Sequence, residues 1–223
     1  MLNSIKNKVI ISVQAMPNEP LYKEECMTAM MQSVINGGAE VLRVAGGRDT
    51  KNAKKLGVTV IGLTKPDKLP DNWKEVVYIT PTLKEVTELI EANADIIAFD
   101  GTSRPRPNNC TLKEIIDTIH SKNKLAMADI STIDEAINCS NLGADIVSTT
   151  LSGYTMESLS DSNEPDYELL KKIVSKNIPA ILEGRIWEPN QVKKAFELGA
   201  FAVVIGSAVT RPQLITKRFI EGN

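Results

Sequence analysis

Asn93-Ala94-Asp95-Ile96-Ile97-Ala98-Phe99, Gly143-Ala144-Asp145-Ile146-Val147 and Gly199-Ala200-Phe201-Ala202-Val203-Val204-Ile205 are three renderings of one phrase. Each stops a helical stretch and then runs straight into apolar, β-branched residues of strand length. A phrase that recurs in this way is an internal repeat, and its unit is a helix followed by a buried strand.

Working outward, the same unit can be read along the rest of the chain. Val9-Ile10-Ile11-Ser12-Val13-Gln14 is a buried strand that ends in a polar amide, followed by a helix over 22–35 that stops at Gly37-Gly38. Ala39–Val44 is a second strand, 49–56 a second helix, and Val58-Thr59-Val60-Ile61-Gly62-Leu63 a third strand closed by Lys65 and Pro66. The stretch 67–80 is irregular, with Val76-Val77-Tyr78-Ile79 a candidate short strand. The helix over 82–92 opens on a Thr82/Glu85 capping box. Further helices are expected over 112–120, 133–142, 166–176, 189–198 and 212–220, with strands at Leu125-Ala126-Met127-Ala128 and Ala180-Ile181-Leu182.

Strands alternating with helices through short crossovers must lie parallel in a helix-covered sheet. Eight such units predict a (β/α)8 barrel occupying residues 1–223 as one domain. The open doubly wound alternative normally carries a glycine-rich loop after its first strand, and Gln14-Ala15-Met16-Pro17 is not one.

Composition limits the function. With 26 Lys and Arg against 28 Asp and Glu, a net charge of −2, the chain has no cationic excess for nucleic acid or a membrane surface. Residues 1–8 lack an apolar signal core, so a cytoplasmic protein is expected. Cys26, Cys110 and Cys139 are widely spaced and form no CxxC pair, which points to reduced packing residues.

In such a barrel the working face is the ring of loops at the strand carboxyl ends. Gln14, Arg43, Lys65, Asp100, Asp129, Thr149, Thr150, Glu183 and Gly206 collect there. Gly184-Arg185 and Gly206-Ser207, at the seventh and eighth strand ends, offer unobstructed backbone N–H groups for a phosphate, and Arg211 adds a nearby cation. No metal is expected, because the one histidine, His120, lies on a helix rather than a strand end. A hydride cofactor lacks its fingerprint as well. Metal-free acid/base or covalent lysine chemistry is left, with Lys65 and Glu183 as its bearers. To act as a base near neutrality Lys65 needs its pKa lowered by desolvation or by a neighbouring cation such as Arg43, whereas an ionised Glu183 would oppose that shift. Trp73 and Trp187 are expected to pack on the outside of the barrel, where a homo-oligomer, a dimer, would find its contact.

These residues carry a resemblance. Ser12-Val13-Gln14-Ala15, Tyr78-Ile79-Thr80-Pro81-Thr82, Asp100 with Arg104-Pro105-Arg106-Pro107, and Met127-Ala128-Asp129-Ile130-Ser131-Thr132 all match the N-acetylmannosamine-6-phosphate 2-epimerase family. So do Thr149-Thr150-Leu151-Ser152-Gly153-Tyr154, Glu183-Gly184-Arg185, and Gly206-Ser207-Ala208 with Thr210-Arg211-Pro212. The chain departs from the family's usual pattern at Ala45-Gly46-Gly47 and at Gly101. The resemblance implies cofactor-independent interconversion of N-acetylmannosamine 6-phosphate and N-acetylglucosamine 6-phosphate, in the breakdown of sialic acid and amino sugars. It places catalysis on Lys65 and Glu183 and substrate binding on Gln14, Arg43, Asp129, Arg185 and Arg211. The glycine turns at Gly184 and Gly206, with Ser207, hold the phosphate.

Overall fold

In the computed structural model, which describes residues 2–222, the repeated phrases become neighbouring strands of a closed parallel barrel. Its strands, in chain and spatial order, are β1 (Val9–Val13), β2 (Val41–Ala45), β3 (Thr59–Leu63), β4 (Ile96–Asp100), β5 (Leu125–Asp129), β6 (Ile146–Ser148), β7 (Ala180–Glu183) and β8 (Ala202–Ile205), and β8 pairs back onto β1. The outer helices are α1 (Glu24–Asn36), α2 (Gly46–Lys55), α3 (Leu83–Glu91), α4 (Leu112–His120), α5 (Ile133–Asn141), α6 (Tyr167–Ser175) and α7 (Pro189–Glu197). After β8 come a four-residue turn of helix, α8 (Ser207–Thr210), and α9 (Pro212–Glu221).

The repeat has a local physical cause. Asp95 and Asp145, which open β4 and β6, each receive the N–H of a residue in the adjacent strand, Val60 at 2.9 Å and Ala126 at 2.8 Å. From the helix side Lys54 pairs with Asp95 at 2.6 Å and the His120 ring hydrogen-bonds Asp145 at 2.8 Å. His120 therefore holds a strand start, as a helix residue far from the strand carboxyl ends. In the third rendering Phe201 replaces the aspartate and packs its ring against the barrel floor. Ile5 fills that floor, fully buried, from a short 3-10 helix, Leu2–Ile5.

Side chains alternate between the two faces of each strand. Ile10, Ile61, Ile96, Ala98, Met127, Ile146, Ile181, Ala202 and Val204 form the barrel interior, whereas Ile97, Phe99, Ala128, Leu182 and Val203 belong to the layer beneath the helices. Two residues beyond the inward apolar positions, the same parity brings Ser12, Arg43, Asp100, Asp129, Ser148 and Glu183 to the mouth.

Helices α3, α4 and α5 begin on threonine–glutamate capping boxes, including the expected Thr82/Glu85 pair. Helix α2 begins at Gly46, earlier than expected. Gly46 adopts φ +82 and the Gly47 N–H donates to Glu88 at 2.7 Å, where a Cβ on Gly47 would stand 2.9 Å from that carboxylate. Gly101, the other departure, has no space for a methyl group, since an added Cβ would meet the Cys139 sulfur at 2.8 Å.

Candidate active site

Arg43 is the centre of the mouth. It is 1% exposed and spans two carboxylates: Nη2 donates to Asp129 Oδ2 at 2.5 Å and Nη1 to Asp129 Oδ1 at 3.0 Å, while Nη1 also reaches Glu183 Oε2 at 2.8 Å. Burial by itself would lower the pKa of this guanidinium, but Asp129 and Glu183 raise it further, so Arg43 is a permanent cation. The Thr150 hydroxyl sits between the same carboxylates, 2.7 Å from Asp129 Oδ1 and 3.1 Å from Glu183 Oε2, with Ser148 Oγ 2.8 Å away. Glu183 is further fixed by its backbone, because its N–H donates to Thr149 Oγ1 and its carbonyl accepts from the same hydroxyl.

Two effects compete at Glu183. Burial raises its pKa and Asp129 raises it again, while Arg43, Lys65 and the Thr150 hydroxyl lower it, and the net direction is upward. A carboxyl held above its ordinary range keeps its proton to higher pH than a free one, which suits it to proton transfer.

Lys65 lies two residues past the end of β3 and is lowered to about 8, first by desolvation and then by Arg43; Glu183 and Asp129 oppose the shift and Arg211 adds to it. The side chain is nonetheless exposed to the water of the open cleft. That exposure weakens the desolvation and leaves the Arg43 guanidinium as the second cause that lowers the lysine. Among the described residues no hydrogen bond joins Lys65 to Glu183. They line one cavity of about 350 Å³ and are coupled through their fields, so their titrations belong to the pair.

That cavity also holds the turn expected to bind phosphate: Gly184, Gly206 and Ser207, with Arg185, Trp187 and Tyr154 around them. Gly184 at φ +107 and Arg185 at φ +58 turn the chain in two successive left-handed steps. Ser207 opens α8, where N–H groups precede their first intrahelical acceptor. The Arg185 side chain points elsewhere: Nε donates to the Glu164 carbonyl at 2.7 Å and Nη1 to the Ser152 carbonyl at 2.9 Å, over the ring of Tyr154. It fastens the long β6–α6 loop to the turn, and what it offers the cavity is mainly backbone.

A second, larger cavity of about 680 Å³ adjoins the first along Gln14, Lys65 and Arg211, and extends over the β1–β3 side past Ala15, Ala45 and Thr64. Gln14 donates to Ser12 Oγ at 2.8 Å and keeps a buried, unpartnered Oε1. Arg211 pairs with Glu19 and keeps an unpartnered Nε.

Sequence expectations change for Arg43, Asp129, Asp100 and the two tryptophans. Arg43 and Asp129, expected to bind substrate, line neither cavity and pair with each other behind Glu183; Asp100 lines neither as well, being fully buried and bound by Arg104 at 2.5 Å and by the Thr102 hydroxyl at 2.6 Å. The two arginines of the Arg104–Pro107 loop face inward, Arg104 onto the Trp73 carbonyl and Arg106 onto the Asp100 and Pro81 carbonyls. The tryptophans are not on the outside of the barrel. Trp187 lines the smaller cavity under the Arg218 guanidinium, and Trp73 meets Tyr78 edge to face on the β3–α3 loop. Both follow strand carboxyl ends, and that position alone would have placed them at the mouth.

Fold and site together define a (β/α)8 barrel with an acid–base cluster at its carboxyl-terminal mouth. Residues 27–222 match the family model described as "Putative N-acetylmannosamine-6-phosphate epimerase". Relatives named as such 2-epimerases are 46% identical in Clostridium perfringens, covering 99% of both chains, and 45% identical in Clostridioides difficile, covering 99% of this chain and 98% of that one. The solved structure of the N-acetylmannosamine-6-phosphate 2-epimerase from Clostridium perfringens superposes with a TM-score of 0.93 at 45% identity, over 100% of this chain and 96% of that one. A 3-hexulose-6-phosphate synthase, 14% identical at a TM-score of 0.63, shares the fold. The chain belongs to the N-acetylmannosamine-6-phosphate epimerase family. Among the described residues no helix is long and apolar enough to cross a membrane.

Proposed function

We propose that the protein interconverts N-acetylmannosamine 6-phosphate and N-acetylglucosamine 6-phosphate by moving the proton at carbon 2, without a cofactor, in the catabolism of amino sugars. The observation that carries this reading is Glu183, backed by the buried Arg43–Asp129 pair, lining one cavity with a lysine of lowered pKa. The carbon 2 proton becomes acidic only when the ring opens and an aldehyde stands beside it. Glu183 serves ring opening by giving its proton to the ring oxygen, and the carboxylate this leaves takes up the proton of the carbon 1 hydroxyl as the carbonyl forms. Neutral Lys65 then takes the carbon 2 proton and becomes an ammonium, and the electron pair left behind delocalises onto the carbon 1 oxygen as an enolate. Arg43 is the nearby fixed cation that favours this charge. Return of a proton to the opposite face gives the epimer, either from Lys65 after the intermediate rotates or from a second group. Backbone N–H groups at Gly184 and Gly206-Ser207, with Arg211, hold the phosphate.

Turnover of N-acetylmannosamine 6-phosphate in deuterium oxide tests the reading. Deuterium is expected at carbon 2 of the product, and product formed without any solvent deuterium would count against deprotonation by an exchangeable base. The pH dependence follows from the sign of the Lys65 shift. The base works neutral, so activity is lost as pH falls below about 8. With roughly a tenth of the lysine neutral at pH 7, kcat should rise about tenfold between pH 7 and 9.

With the phosphate at β7 and β8 and carbon 2 at Lys65, the nitrogen substituent points past Gln14 into the larger cavity. An acetyl group leaves most of that space empty. N-butanoylmannosamine 6-phosphate is therefore expected to keep kcat/KM within about tenfold of the acetyl substrate. A homodimer belongs to the same reading, with Phe219 and Ile220 on α9 as its uncovered apolar pair; light scattering checks it.

A further inference from the structure

We propose that Thr80 is a positioning residue for Lys65, a strained and fully buried threonine that fixes the backbone from which the lysine projects. This rests on Lys65 being the base at carbon 2. Thr80 adopts φ +42, a region that a β-branched residue occupies only under strain, and it does so directly before Pro81, a neighbour that favours extended backbone. Strain of this kind persists only where the surrounding structure over-determines it. Here that surrounding is specific. The Thr64 N–H donates to Thr80 Oγ1 at 3.0 Å, and the Thr80 N–H donates to the Thr64 carbonyl at 3.1 Å. Both backbone polar groups of the residue just before Lys65 therefore close on one side chain and one amide of Thr80.

The clamp is itself anchored, because the Asp100 N–H at the end of β4 donates to the carbonyl of Ile79 at 3.0 Å. A rigid line thus runs from β4 through Ile79 and Thr80 to Thr64 and the root of Lys65. Lys65 needs such support: it lies beyond the last residue of β3, precedes Pro66, and has no ladder of its own. An unsupported strand end would let the lysine move away from the groups that face it, Arg43 on β2, Asp129 on β5, Glu183 on β7 and Arg211 before α9.

The experiment compares Thr80→Ser, Thr80→Val and Thr80→Gly with the wild type, and uses Lys65→Met as the control for the underlying reading. Serine keeps the hydroxyl, and its kcat should stay within about twofold. Valine keeps the shape and loses the acceptor. Glycine loses the acceptor but takes φ +42 freely, so it folds even if the valine variant does not. Both should lower kcat about tenfold or more with KM nearly unchanged, since a small misplacement of a reacting group is expensive in rate. In Thr80→Gly the rise of kcat with pH should also move to higher pH, as the lysine regains water. A merely structural threonine would lower the melting temperature without moving that midpoint. Wild-type kcat and pH profile in Thr80→Gly, with Lys65→Met inactive, would overturn the clamp while leaving the base assignment standing. An active Lys65→Met would overturn both.

Discussion

Lys65→Met is expected to remove epimerase turnover by at least about 10³-fold while leaving KM within a few-fold of the wild type. The split follows from the geometry. Methionine keeps the unbranched stem that lines both cavities, and the groups proposed to hold phosphate lie at the β7 and β8 ends, so ground-state binding survives. Removed is the one group near Glu183 whose neutral form is accessible at neutral pH, and with it solvent exchange at carbon 2 should vanish together with turnover. Folding should be unaffected, because Lys65 makes no hydrogen bond among the described residues and is held in a field that already disfavours its charge. Borohydride treatment in the presence of substrate separates this role from its covalent rival. A Schiff-base lysine would be trapped and the wild type inactivated, whereas a proton-transfer lysine stays free. Retention of more than a tenth of the activity in Lys65→Met would move the base to another residue.

Much of this site could be read in the sequence, because it depends on strand parity. An inward apolar residue at position n makes n+2 inward as well, so Ile61-Gly62-Leu63 predicts Lys65, and Ile181-Leu182 predicts Glu183, without knowledge of any partner. The closed barrel was legible for a similar reason, since the Ala94-Asp95 and Ala144-Asp145 repeats mark strand starts through hydrogen bonds to the next strand. What could not be read was the choice among tertiary partners. Asp100 and Asp129 occupy paired positions on β4 and β5, yet Arg104 neutralises the first and Arg43 takes the second into the mouth. The stretch 67–80 has no periodicity to read. Its candidate strand at residues 76–79 does not form: the Val77 N–H donates to the Pro105 carbonyl of a loop, and only the Ile79 carbonyl meets a strand, at the Asp100 N–H that ends β4. Arg185 was misjudged in its side chain only: the left-handed turn it helps to build is where expected, but its guanidinium is occupied by carbonyls of a loop with no sequence signal for its path.

Arg43→Met should produce the largest combined loss, in stability and in rate, of any single change at the mouth. The guanidinium is the sole cation hydrogen-bonded to Asp129 and Glu183 among the described residues, and Asp129 is wholly buried. Removing one partner of a buried ion pair leaves an uncompensated charge, with a destabilisation of about 3–5 kcal/mol. The fold can recover part of this only by protonating a carboxylate, and the Thr150 hydroxyl between the two oxygens provides a place for the shared proton. The variant should therefore lose less stability at acidic pH than at pH 8. The sign of each shift gives a second test in the same protein. Arg43 lowers both Glu183 and Lys65, so its loss raises both. Lys65 would then be neutral only at higher pH, and the rise of any residual kcat should shift in the alkaline direction. Arg43→Lys should restore part of the stability and little of the rate, because one ammonium cannot repeat the two-pronged contact with Asp129 while also reaching Glu183. Denaturant melts at pH 6 and pH 8, run beside the pH–rate profile, separate the two effects. A variant whose stability falls equally at both pH values, with an unmoved kinetic midpoint, would show that Arg43 only fills space.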